Sequence, residues 1–193
     1  AVQTIDVMAG SRVSIAARVQ DFHLDLDEKE SRKYDPFIRY AFQATHNAIQ
    51  HSQIDPKLLA TTRTAVVISS GIGGLQTIQD NHAKLQVSPR RVSPFFIPGT
   101  IINLATGLIA THYGIKGPSF SPVSACASSA HSIAIGAMLI ETGQADVVIV
   151  GGAEHASTDL SIAGFAALRA LSTRNDDPQS ASRPWDKARD GFV

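Results

Sequence analysis

The sequence predicts an α/β architecture around a largely parallel sheet, and three observations carry that expectation. Two continuous apolar runs, residues 64–69 and 146–152, each lead into glycines, which is how strands covered on both faces read. Stretches with helical spacing, rich in alanine and other small residues, alternate with these runs. Of 193 residues, 44% are hydrophobic and only 18% charged, which is ample for a buried core.

The elements follow in order. Residues 14–19 alternate small and apolar side chains and read as a short strand. Residues 32–51 place Phe37, Tyr40, Ala41, Ala44, Ala48 and Ile49 on one helical stripe, with Asp35-Pro36 suited to the first turn. The run over 64–69 passes into Ser69-Ser-Gly-Ile-Gly-Gly74, a tight turn, and a helix is expected over 75–85. Pro89, Pro94 and Pro98 mark a loop, and residues 100–111 read as a helix. After a turn at 114–118 and an extended segment at 119–124 comes an alanine-rich helical stretch over 125–142, ended by Gly143. Residues 146–152 read as the second buried strand, 161–171 as a short helix and 172–190 as a polar loop. Gly191-Phe192-Val193 looks like a strand just beginning, and Ala1 stands where a methionine would open a chain. Both lead to the expectation of a truncated polypeptide, with a frayed apolar tail as the alternative.

Composition excludes several classes. Lys and Arg number 17, as do Asp and Glu, so no basic excess exists to neutralise a nucleic-acid backbone. The apolar content excludes a disordered chain. No apolar stretch is long enough to span a membrane, and no signal peptide opens the sequence. The one cysteine cannot form an internal disulfide. The expectation is a soluble, cytoplasmic globular chain.

That cysteine is the best candidate for chemistry. Cys126 lies in Val123-Ser-Ala-Cys-Ala-Ser-Ser129, between the extended segment and the long helix. A thiol at a helix start sits beside unpaired N–H groups and the positive end of the dipole, which favour the thiolate. Its small neighbours leave room for a substrate carbonyl; an inert buried cysteine remains the alternative. No histidine presents itself as its base. His131 falls about 140° around the helix from Cys126, which suits a core or interface histidine. His155 follows the second strand and receives no role, and His23, His46, His51, His82 and His112 read as helix-surface or loop residues.

Gly71 and Gly73 begin a G-x-G-x-x-G pattern, but Gln76 occupies its last position, so the dinucleotide fingerprint fails. No zinc-site spacing exists either, so no metal site is expected. Lys29, Arg32, Lys33 and Arg39 cluster near one helix start, and Arg90-Arg91 lie in the proline loop. Such groups read first as a solvated face, or as a surface that steers an acidic partner.

The motif around Cys126, Gly151-Gly-Ala-Glu154, Arg169-Ala-Leu-Ser-Thr-Arg-Asn175, Ser182-Arg-Pro-Trp-Asp-Lys187 and Arg189-Asp-Gly-Phe-Val193 resemble the β-ketoacyl-acyl-carrier-protein synthases. With Ser93-Pro-Phe-Phe-Ile-Pro98 upstream, the likeness is to the synthase II branch, which elongates chains in bacterial fatty acid synthesis. It runs from about residue 19 to 193. The resemblance implies a thiolase-like layered α/β sandwich of two similar halves, usually a homodimer. Residues 1–193 would be the N-terminal half, incomplete, without its opening strand and without the C-terminal half. The family's nucleophile falls on Cys126, whose N–H would serve the oxyanion hole; the catalytic histidine pair and a supporting lysine would lie in the other half. Ile72 and Phe165 fall on positions lining or gating the acyl pocket, and Phe96 on one at its far end near the dimer interface. Lys29, Arg32, Lys33, Arg90, Arg91 and Arg169 fall on positions that meet acyl carrier protein. No cofactor is implied, because substrates ride on carrier-protein phosphopantetheine.

The function so implied is decarboxylative Claisen condensation of malonyl-carrier protein with an acyl thioester on Cys126. Alternatives are a polyketide ketosynthase, or a non-catalytic fragment or subunit that binds carrier protein. A half sandwich would also expose one face of its core, which predicts aggregation or dependence on a partner chain.

Overall fold

The computed structural model describes residues 1–6 and 10–193. They form two compact units, one of residues 23–155, the other of residues 1–22 with 156–193. The chain opens with β1 (Gln3–Thr4) and β2 (Ile15–Ala16) in the smaller unit. The larger unit follows with α1 (Glu28–Ser31), α2 (Pro36–Ser52), α3 (Pro56–Leu59), β3 (Thr64–Ser69), α4 (Leu75–Val87), α5 (Phe96–Thr100) and α6 (Leu104–Tyr113). It continues with β4 (Ser119–Phe120), a 3-10 turn at Ala125–Ala127, α7 (Ser128–Glu141) and β5 (Val147–Gly152). The last helix, α8 (Asp159–Ala167), belongs to the smaller unit.

β3 is the centre of the larger unit. It pairs in parallel with β4 through Val66↔Ser119 and Val67↔Phe120, and with β5 from Thr64↔Val147 to Ser69↔Gly152. All six of its residues are buried, which is why it reads as an unbroken apolar run rather than an alternating one. Strand side chains alternate between faces. Val66 and Ile68 therefore join Phe37, Ile38, Phe42 and Ile109 of α2 and α6, while Ala65 and Val67 meet Leu139 of α7. The result is helices on both faces of a parallel sheet.

β5 departs from the expectation of a fully buried strand: its residues are half-buried to exposed. Among the described strands it pairs only with β3, so it is an outer strand. The α2 stripe also differs from the expected one. Phe37, Ile38, Ala41 and Phe42 are buried, whereas Ala44 and Ala48 are exposed. Alanine is apolar but small, and spacing alone placed it on the wrong side. The helix expected at 100–111 is α6, starting four residues later, and a further short helix, α5, occupies part of the expected proline loop. Pro98 is the third residue of α5, where its missing N–H has no intrahelical partner to lose.

One buried carboxylate ties helices together. Asp35 is fully buried; one oxygen caps α2 by accepting the Phe37 N–H at 3.1 Å, and the other accepts the Thr77 N–H of α4 at 2.8 Å. In the smaller unit, Ile5, Val13, Ile15 and Ala16 pack with Ile162 and Ala181, and β1 runs antiparallel to β2. Asn175 stitches the polar loop to this core, accepting from the Ser14 N–H at 2.9 Å and donating to the Arg12 carbonyl at 2.9 Å. The expected terminal strand amounts to a single parallel bridge between Phe192 and Leu171. Among the described residues no helix is long and apolar enough to cross a membrane.

Candidate active site

The three parallel strands end on the same side of the sheet, and the segments leaving them meet there. After β3 comes the loop Ser70-Gly-Ile-Gly73, after β4 the turn carrying Cys126, and after β5 the pair Ala153-Glu154. Crevices outside the carboxyl ends of parallel strands are where α/β sheets bind ligands.

Cys126 lies in the 3-10 turn at Ala125–Ala127, and the α-helix proper begins at Ser128. The single helix expected over 125–142 is thus broken at its head. The cause is Ala125, held at φ +49°, a left-handed conformation that costs a non-glycine residue about 1–3 kcal/mol. Ser128 holds it there. Its hydroxyl donates to the Ala125 carbonyl at 2.7 Å and accepts the Ser124 N–H at 2.8 Å. The thiol is exposed, against the alternative of an inert buried cysteine. Behind it, a Cβ on Gly152 would lie 2.0 Å from the Ser129 hydroxyl oxygen, so glycine there lets β5 approach the head of α7.

The β3 exit loop is wrapped around a carboxylate. Glu154 Oε2 accepts the Gly71 and Ile72 N–H groups, both at 2.8 Å. Its Oε1 accepts the Ser70 hydroxyl at 2.9 Å and the Gly73 N–H at 3.3 Å. Successive amides turned toward one anion form a nest, so these glycines serve an internal carboxylate rather than the phosphate for which the failed fingerprint would have been built. A Cβ on Gly71 would lie 3.3 Å from both the carbonyl carbon and oxygen of Ala125. The loop therefore passes close to the peptide joining Ala125 to Cys126, near enough that a Cβ at Gly71 would be crowded. Sequence reasoning missed Glu154, although the parallel register of Ser69 with Gly152 brings the two strand exits together.

The other candidates are placed as follows. Ile72 is exposed on the loop held by Glu154. Phe96 is half-buried in α5, whose Thr100 carbonyl accepts the Gly74 N–H at 3.0 Å, so that helix is fastened to the end of the same loop. Phe165, in the smaller unit, packs edge-on against Phe192 with ring centres 5.2 Å apart. Arg32 pairs with Glu28 and Lys33 with Glu30, which reduces their net charge, and the Lys33 ammonium lies 5.4 Å from the centre of the Phe95 ring. Lys29, Arg90 and Arg91 are exposed and have no ion pair among the described residues. Arg169 is exposed in the smaller unit.

The histidines are distributed differently from one another. His131 takes no core position, which leaves the interface expectation; it is exposed, with Nδ1 2.7 Å from the Ser124 hydroxyl. His46 is half-buried rather than a surface residue, stacked on Phe42 with Nδ1 2.9 Å from the Tyr113 hydroxyl. His155 is engaged with Tyr40, its Nδ1 3.4 Å from the phenol oxygen. No grouping of three or more His, Cys, Asp or Glu suited to a metal exists among the described residues.

The fold has counterparts among solved structures. A β-ketoacyl synthase from Burkholderia phymatum aligns with all of this chain and 48% of its own, with TM-score 0.87 and 26% identity. A type II polyketide ketosynthase, solved in complex with its acyl-carrier protein, aligns over 80% of this chain and 46% of its own at TM-score 0.73; at 23% identity it shows the fold alone. The fold is therefore the thiolase-like layered α/β fold of ketosynthases. The chain belongs to the β-ketoacyl synthase family, whose N-terminal domain matches residues 3–193. Among curated relatives, 3-oxoacyl-[acyl-carrier-protein] synthase 2 of Coxiella burnetii is 50% identical over 93% of this chain and 44% of its own length. The chain thus spans less than half the length of that relative.

Proposed function

We propose that the full-length protein is a condensing enzyme that elongates acyl chains in fatty acid biosynthesis, with Cys126 as its nucleophile. The observation that carries this reading is the exposed thiol on a strained turn at the carboxyl edge of the sheet, in a chain of this family. In the reaction, the Cys126 thiolate attacks the thioester carbonyl of acyl-carrier protein. The acyl group passes to sulfur and the carrier thiol leaves. Malonyl-carrier protein then loses carbon dioxide, and the resulting enolate attacks the Cys126 thioester, forming the carbon–carbon bond and returning the thiolate. The Cys126 N–H would stabilise the oxyanion of each addition, with a histidine pair from the C-terminal half supplying the other stabilisation.

Residues 1–193 are, on this reading, an N-terminal half without its opening strand and C-terminal partner. Support comes from α7, which buries Ser128, Ser132, Gly136 and Leu139 while Ile133, Met138 and Ile140 stay exposed. The acyl chain would run past Ile72, Phe96 and Phe165. Acyl carrier protein would dock on Lys29, Arg32, Lys33, Arg90, Arg91 and Arg169, whose charge complements an acidic carrier. A homodimer is supported by exposed apolar residues on and around α4 and α5, including Val87 at 64% and Ile97 at 60% exposure. The expected location is the cytoplasm, where no cofactor beyond the carrier's phosphopantetheine would be needed.

The test is intact-mass spectrometry of full-length protein after incubation with acyl-carrier protein. An acyl adduct traced to Cys126, absent from Cys126→Ala of unchanged thermal stability, supports the reading. Carrier-protein binding without an adduct would mean a non-catalytic subunit, and acceptance only of poly-β-keto chains a polyketide ketosynthase.

A further inference from the structure

We infer that Glu154 is a positioning residue for the oxyanion donor of Cys126, acting through the loop it holds. The inference rests on the condensing reading above and adds to it a residue that never meets the substrate. Glu154 gathers four donors from consecutive residues Ser70 to Gly73. Removing the carboxylate leaves the Gly71 and Ile72 amides of that loop seeking acceptors at once. A further bond, from the Gly73 N–H to the Ser70 hydroxyl at 3.1 Å, closes the loop on itself but does not fix its place in the fold.

What fixes its place is the β5 exit. The Ala153 N–H donates to the Ser69 carbonyl at 2.9 Å, so Glu154 is delivered by a backbone already in register with β3. On its other side the loop abuts Ala125. The peptide joining Ala125 to Cys126 is one rigid plane, so the direction of the Ala125 carbonyl also sets the direction of the Cys126 N–H. Three supports bear on that plane: the Ser128 hydroxyl and the Ser128 N–H, both donating to the carbonyl oxygen, and Gly71, where a Cβ would come within 3.3 Å of the carbonyl carbon and oxygen. Glu154 holds the last of these. Turning the plane would move the N–H away from the oxyanion while leaving the sulfur in place.

A donor must be aimed to within a few tenths of an ångström, and a misplaced one loses much of its effect. The expected signature is therefore a split between two reactions of one thiol. Transfer of an acyl group passes through an oxyanion; alkylation by iodoacetamide, a displacement at saturated carbon, does not. In the full-length protein, Glu154→Gln should slow acylation of Cys126 by roughly 10- to 100-fold, while alkylation stays within about twofold because it makes no use of the donor. The carbonyl stretch of the acyl-enzyme should move to higher frequency as its hydrogen bond weakens. Gly71→Ala supplies a second route, since its Cβ would come 3.0 Å from Glu154 Oε2 and 3.3 Å from the Ala125 carbonyl, crowding the loop's contacts on both sides without removing the carboxylate; it decides the matter if Glu154→Gln does not fold. Acylation at the wild-type rate in both variants, or acylation and alkylation falling together, overturns the inference. Wild-type protein that forms no acyl-Cys126 would instead overturn the condensing reading.

Discussion

Replacing Ser128 by alanine should loosen the turn that carries the thiol, and the size of the effect follows from two hydrogen bonds. The hydroxyl bonds the Ala125 carbonyl at 2.7 Å and the Ser124 N–H at 2.8 Å, in a residue only 3% exposed. Each bond contributes about 1 kcal/mol net, and an amide left without its acceptor adds about 1 kcal/mol or more. The strain of Ala125 at φ +49°, about 1–3 kcal/mol, stays in place, because the Ser128 N–H still bonds the Ala125 carbonyl. We expect Ser128→Ala to lose about 2–3 kcal/mol in urea denaturation of the full-length protein, a factor of roughly 30 or more in the folding equilibrium. Ala125→Gly, which removes the cost of the left-handed conformation, should restore about 1 kcal/mol in the Ser128→Ala background. A loss below about 0.5 kcal/mol, the range of an ordinary surface substitution, would refute the lock. So would a background in which Ala125→Gly restores nothing.

Asp35→Ala should cost about 2–4 kcal/mol by the same assay, because the Phe37 and Thr77 amides lose one buried acceptor together. Asp35→Asn should recover part of this, since its amide oxygen can still accept one of the two. Acid should weaken both units. Hydrogen bonding to Arg63 lowers the carboxyl of Asp146, and hydrogen bonds from Ser172 and the Thr173 N–H, with Arg174 nearby, lower that of Asp190. Groups lowered on folding contribute stability that is present above the ordinary value of 3.8 and lost as pH falls through the folded value. The urea midpoint should therefore drop below about pH 4, with a shallower drop in Asp146→Asn and Asp190→Asn. Reversing charge with Lys29→Glu and Arg90→Glu should raise KM for acyl-carrier protein and reduce its salt dependence, while alkylation of Cys126 stays unchanged.

The central strand was legible because both its faces are covered, so burial left an unbroken record in Thr64–Ser69. Elements whose burial depends on one face were read less well. Ala44 and Ala48 carry the period of a core stripe, yet the buried positions on α2 belong to larger neighbours such as Phe37 and Phe42. Proline was read as a loop marker at Pro98, where the first turn of α5 tolerates it. Cys126 was legible as a candidate nucleophile from its place before a helix of small residues. The left-handed Ala125 beside it was not, because nothing in alanine's own preferences asks for positive φ. That conformation is imposed by Ser128, three residues on.

Glu154 shows why the rest of the site stayed hidden. A carboxylate among apolar residues at a strand exit reads as a surface charge when taken alone. Its meaning depends on two facts that lie 80 or more residues apart in the chain: the exit of β3 is a row of amides, and the exit of β5 is in parallel register with it. Parallel pairing makes such couplings unavoidable, because strands that run the same way release their connecting loops at the same edge. On the condensing reading, chemistry at that edge has two kinds of contributors. One, Cys126, would meet the reacting atoms and is recognisable by its residue type. The other, Glu154, is an anion spent on the backbone, and only the sheet's register identifies it.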